Sequence, residues 1–157
     1  MAQYGYSIKD INETRAHACM RDVPMSYKIA VLIGKRIKGM ATEKALRFLA
    51  DVQTQKQAVP YRSFNDSVGH RPGIGPGRYP TKAAKYFEML VKNAVANAED
   101  KGLGKDIWVE FVVSQRAGQP MRTGSSRRSS TFKRSHVEII VTNAPSPNRV
   151  RSPKKKK

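Results

Sequence analysis

Three stretches of the chain repeat apolar residues at helical spacing. Ile29, Ile33 and Ile37 recur at every fourth position, with Leu32 and Met40 beside them. This predicts a helix with Ser26 as N-cap, running to about Lys38 and stopped by Gly39. Ala45, Leu46, Leu49 and Val52 predict a second helix, capped by Thr42 and spanning roughly Glu43 to Gln53. Ala83, Phe87, Leu90, Ala94 and Ala98 predict a third and longest helix, opened by Thr81 after Pro80 and ended near Asp100 by Gly102.

Elsewhere the period falls to two. Ile107, Val109, Phe111 and Val113 alternate with Trp108, Glu110 and Val112, and Val137, Ile139 and Val141 alternate with His136, Glu138 and Ile140. Both read as strands. Ala16 to Met20 reads as a further short strand closed by Pro24. Residues 54–80 carry Pro60, Pro72, Pro76 and Pro80 among Gly69, Gly73, Gly75 and Gly77, which predicts irregular structure in a long connection.

Charge changes the picture. The chain has 157 residues, enough for one domain with a real core, and 30 Lys and Arg against 12 Asp and Glu, a net charge of +18. Such an excess calls for a polyanionic partner, nucleic acid before an anionic membrane. No stretch reaches the ~18 apolar residues of a membrane span, and the first ten residues have no signal-peptide core. The one cysteine, Cys19, fits a reducing compartment. A cytoplasmic protein is expected. Residues 111–157 hold 12 of the basic residues and one acidic residue, Glu138.

Catalytic chemistry is poorly represented. His17, His70 and His136 lack neighbours at metal-ligand spacing, and Cys19 has no nucleophile context. The run Gly73 to Gly77 lacks the Lys-Ser/Thr ending and preceding strand of a phosphate loop. No enzyme activity, cofactor or metal is expected.

Phosphate-binding chemistry is spread over every element. Lys28, Lys35 and Lys38 share one helix face, and Lys82, Lys85 and Lys92 share a sector of another helix. The long connection mixes Arg62, His70, Arg71 and Arg78 with Tyr61, Phe64 and Tyr79, a mixture suited to unpaired RNA, although Tyr61 and Phe64 could equally fasten the loop to the core. From Ser114 to Arg134 lie Arg116, Arg122, Arg127, Arg128, Lys133 and Arg134, with no acidic residue. That stretch is either a disordered loop or a β-hairpin with arms of about ten residues, reaching on the order of 30 Å. A single groove-reading module would concentrate its cations on one element.

Several motifs together resemble the universal large-subunit ribosomal protein family numbered twenty-two in bacteria and seventeen in eukaryotes, on its archaeal–eukaryotic side. They are Met25 to Lys28, Ile37 to Ala41, Val59-Pro60-Tyr61, Val68 to Arg71, Gly77 to Pro80 with Lys82-Ala83, Asn93-Ala94, Asn97-Ala98-Glu99 and His136 to Ile139. The likeness runs over about residues 4–142. It implies an α+β fold: three helices packed on a small antiparallel sheet, with a long protruding β-hairpin at about 107–142. The domain would occupy 1–144; by its composition alone, 145–157 is expected to form a basic, flexible tail.

The resemblance further implies a structural constituent of the large ribosomal subunit, with large-subunit rRNA and neighbouring ribosomal proteins as partners. Tyr79, Asn93, Asn97 and His136 join the cations named above, apart from Arg127 and Arg128, as expected rRNA contacts. The hairpin tip, Met121, Arg122, Thr123, Gly124, Ser125, Ser126, Arg127 and Arg128, would line the nascent-peptide exit tunnel and meet the nascent polypeptide. Met121-Arg122-Thr123 stands where relatives often carry Pro-Arg-Ala. Neither a membrane partner nor a homo-oligomer is expected. A free DNA-compacting protein of nucleoid type is the rival reading; an RNA-processing enzyme would need an acid–base or metal cluster that the sequence does not offer.

Overall fold

The computed structural model describes residues 5–8, 14–104, 106–122 and 130–143, with the backbone alone at 122 and 130. Among the described residues, eleven elements follow one another: β1 Arg15–Val23, α1 Tyr27–Ile37, α2 Thr42–Gln53, β2 Val59–Pro60, β3 His70–Arg71, β4 Gly75–Arg78, α3 Thr81–Asp100, β5 Trp108–Arg116, β6 Met121–Arg122, β7 Ser130–Thr131 and β8 Ser135–Thr142. The architecture is α+β. The main sheet has the order β1-β8-β5, antiparallel throughout. Helix α3 lies across β1 and β8, α1 packs on β5, and α2 packs on α3.

The helical stripes become the core. Ile33, Ile37, Leu49, Val52, Phe87 and Leu90 meet Val109, Val137, Ile139 and Val141 from the sheet, all essentially buried. Helix α1 approaches β5 closely at Gly34, where a β-carbon would lie 2.9 Å from Val112 Cγ1. The helix stops where Gly39 takes φ +73°, a left-handed conformation that glycine adopts without steric cost. The corner that follows serves the sheet. Gly39 N–H donates to Val109 O, Val109 N–H to Met40 O and Thr42 N–H to Ile107 O. These bonds cover part of the β5 edge and satisfy the first amide of α2. Ala41 is therefore the N-cap and Thr42 the first helical residue, one position before the expected boundary. At the far end of α3, Leu103 N–H donates to Ala98 O and Gly102 N–H to Glu99 O, a Schellman stop with Gly102 at φ +70°.

Two expectations are corrected. Alternation on β5 was expected to run unbroken from Ile107 to Val113. The register with β8 slips between Val109 and Phe111, and this bulge reverses the strand's faces. Ile107 and Val109 face the core, but beyond the bulge Val112 takes that face in place of Phe111 and Val113. The stretch 54–80 was expected to be irregular, and it holds a second small sheet of order β2-β4-β3. Proline survives there because only its carbonyl is used: Pro76 O accepts from Tyr61 N–H at 2.8 Å. Pro72 and Gly73, the latter at φ +72°, form the middle of a type II turn closed by Ile74 N–H to Arg71 O.

The β5 and β8 arms stay in register to Arg116↔Ser135. Ala117 N–H donates to Arg134 O and Phe132 N–H to Pro120 O, and pairing resumes at Met121↔Thr131 and Arg122↔Ser130. Met121 is 71% exposed and Phe132 43%.

Candidate nucleic-acid interface

Five cations on this surface lie over aromatic rings. Lys28 Nζ lies 5.3 Å from the Phe64 ring centre, Lys38 Nζ 4.5 Å from Phe111, and the Arg36 guanidinium 5.4 Å from Phe48. Arg71 lies 5.1 Å from Tyr79 and Arg116 5.5 Å from Tyr27. A ring attracts a cation through its quadrupole and orients it without cancelling its charge. Carboxylates pair instead with other cations, in Arg15–Glu110, Arg47–Glu43 and Lys92–Glu88. The five ring-held cations therefore keep their positive charge for an external anion.

The bulge in β5 explains one of these seats. It turns Phe111 away from the core face and leaves it under Lys38. The loop aromatics divide between the two roles left open by the sequence. Tyr61 is buried and fastens the loop to the core, and burial pushes its phenol pKa up. Phe64 is 43% exposed at φ +56° and carries Lys28.

Expected contact residues gather in two places. Around the start of α1 and α3, a shallow depression is lined by Ser26, Tyr79, Lys82 and Lys133. The Arg116–Tyr27 and Arg71–Tyr79 pairs adjoin it through residues 26–27 and 79. Arg78 is exposed nearby and donates to Ser67 O at 3.2 Å. Farther along α1, Lys35, Arg36 and Arg62 line a deeper cleft. Arg36 was not singled out in the sequence. Its place beside Lys35 was visible there, but its ring partner, Phe48 on the next helix, was not.

Other expected residues are engaged within the fold or stand apart. Asn97 donates from Nδ2 to His17 O at 2.8 Å, tying α3 to β1. His136 Nδ1 accepts from Asp22 N–H at 3.1 Å, beside the irregularity near the end of β1. Lys92 pairs with Glu88 at 2.7 Å, and Gln53 donates to the other Glu88 oxygen at 2.6 Å. Those bonds hold the Glu88 carboxyl below its ordinary range. Lys85 and Asn93 are exposed on α3, and His70 is exposed on β3; Arg134 is half-buried on the hairpin arm. Thr123, Gly124, Ser125, Ser126, Arg127, Arg128, the Arg122 side chain and the tail 145–157 lie outside the described residues.

Among the described residues, no three His, Cys, Asp or Glu side chains gather as a metal ion would require, and no helix is long and apolar enough to cross a membrane. The surface can hold phosphates at many points and stack bases at a few.

The sequence profile of ribosomal protein L22p/L17e matches residues 18–142. The large ribosomal subunit protein uL22 of Picrophilus torridus is 47% identical over 108 residues, 69% of this chain and 72% of that protein. The uL22 of Thermoplasma volcanium is 40% identical over 143 residues, covering 88% and 96%. That of Thermofilum pendens is 44% identical over 147 residues, covering 90% and 97%. Over this length and identity, the matching motifs and fold leave one assignment: the chain belongs to the ribosomal protein L22p/L17e family.

Proposed function

We propose that this chain is a structural, non-enzymatic constituent of the large ribosomal subunit. It binds large-subunit rRNA, supports its folding during assembly, and lines the nascent-peptide exit tunnel with the end of its hairpin. The observation that carries the reading is the set of five cations held over rings. They sit on or beside α1, on the 54–80 loop and on the hairpin arm, so the partner must meet several elements at once. A duplex read by one helix would not need this arrangement, but folded rRNA would. The names of the relatives support the same setting.

The hairpin fits its proposed place. Its arms carry Arg116, Lys133 and Arg134 toward phosphates, and two apolar side chains, Met121 and Phe132, are exposed on the described part. An isolated two-stranded ribbon is marginal in water, so surrounding RNA would order it.

Sedimentation of a native lysate through sucrose, before and after a high-salt wash, tests the reading. Co-migration with large subunits that survives the wash is expected. Recovery at the top of the gradient, or with chromosomal DNA, would instead favour a free DNA-compacting protein.

A further inference from the structure

The cleft between α1 and the 54–80 loop has a volume of about 450 Å³. Its apolar surface comes from Leu32, Pro60 and Ile74; Lys35, Arg36 and Arg62 supply the cations, and Gln57 adds an amide. Among the described residues, no carboxylate lines it. Ile74 is 40% exposed at the end of the type II turn, so one wall presents an aliphatic side chain to whatever enters. Arg36 is already oriented by Phe48.

We propose that this cleft receives a single unpaired nucleotide of the bound rRNA. The inference rests on the rRNA-binding reading and adds a mode of recognition to it. The base lies on the apolar surface beside Ile74 and Pro60, and Gln57 can pair with its edge. The phosphates on either side meet Lys35, Arg36 and Arg62. A paired base is stacked within its helix and cannot enter such a recess, whereas an extruded base exposes both its face and its hydrogen-bonding edge. Charge decides against an uncharged apolar peptide segment, which would leave three cations at the cleft without anions.

The test uses the full chain bound to protein-free large-subunit rRNA, with Ile74 replaced by p-benzoylphenylalanine. Irradiation should join it to one nucleotide. That nucleotide's base should react with base-specific probes in naked rRNA and be shielded once the unmodified chain binds. In the Lys35→Ala/Arg62→Ala double variant that shielding should be lost, while protection by the Arg116 and Lys133 side persists. Cross-links confined to base-paired rRNA, or unchanged base reactivity in a chain that does bind, would overturn the cleft assignment alone. In reconstituted subunits, a cross-link to a neighbouring protein would do the same and give the cleft a protein occupant. A chain that binds no rRNA at all would overturn the reading beneath it as well.

Discussion

His17 is 7% exposed, and neither ring nitrogen has a hydrogen-bond partner. Tyr6 packs against it with ring centres 5.0 Å apart. Burial, reinforced by Lys101 and Arg15, lowers its pKa from the ordinary 6.5, against smaller opposing effects of Glu138 and Glu110. The unfolded chain therefore takes up a proton that the folded chain resists. Stability from this site is fully present above about pH 6.5 and is lost as pH falls from there through the lowered folded value. Urea midpoints should drop across that window, and His17→Phe should flatten the slope. An unchanged slope in the variant would remove His17 as the cause. Gly34 is a second single-residue lever. Gly34→Ala gains up to about 1 kcal/mol of helix propensity, but forces a methyl against Val112, a collision of the kind that costs about 1–3 kcal/mol. A net loss is expected in denaturant unfolding. In a Val112→Ala background the same change should cost less, because the nearest obstructing methyl is gone and only Cβ remains in close contact.

At the scale of elements, α3 divides its lysines. Lys82 lines the depression at its start, whereas Lys92 is paired to Glu88, which also accepts from Gln53 of α2. Lys82→Glu should weaken rRNA binding and reduce the salt slope by about 0.7–0.9, the share of one phosphate that is no longer neutralised, with little change in melting temperature. Lys92→Glu should lower the melting temperature as well, because a surface pair worth roughly 0.3–0.5 kcal/mol gives way to repulsion. Filter binding at several salt concentrations and thermal unfolding separate the two. The hairpin allows a sharper division. Deleting Gln119–Arg128 leaves the ladder from Trp108↔Thr142 to Arg116↔Ser135 intact. The body should melt unchanged and enter subunits, with altered passage of the nascent chain. Loss of incorporation would show that the end of the hairpin is needed to join the particle.

Elements differed in how plainly the sequence announced them. The helices were legible because each buries a single stripe and ends at a glycine or an abrupt corner. The bulge in β5 was not, since Val112 and Val113 are equally apolar and only the pairing with β8 decides which turns inward. The small sheet of the 54–80 loop was hidden by its prolines, which suppress strand propensity yet can still accept hydrogen bonds. Asn97 and His136 stood out in motifs, but they hold the body together through His17 and Asp22. The cations were legible as a sum. Which of them would be held over rings depended on contacts across elements, such as Lys38 with Phe111 and Arg116 with Tyr27.

For the whole molecule, the order of strands matters more than any one contact. The central strand β8, Ser135–Thr142, comes last of the three in sequence, and both its neighbours are made earlier. While the chain is being synthesised, β1 and β5 have no common partner until residues 135–142 emerge. Contacts of such long sequence separation form late, and incomplete chains expose apolar surface meanwhile. Here the waiting chain is also strongly cationic in a cell full of polyanions. Completion of the sheet thus waits for its last strand, and a nascent protein of this design would need shelter from stray nucleic acid before reaching its own.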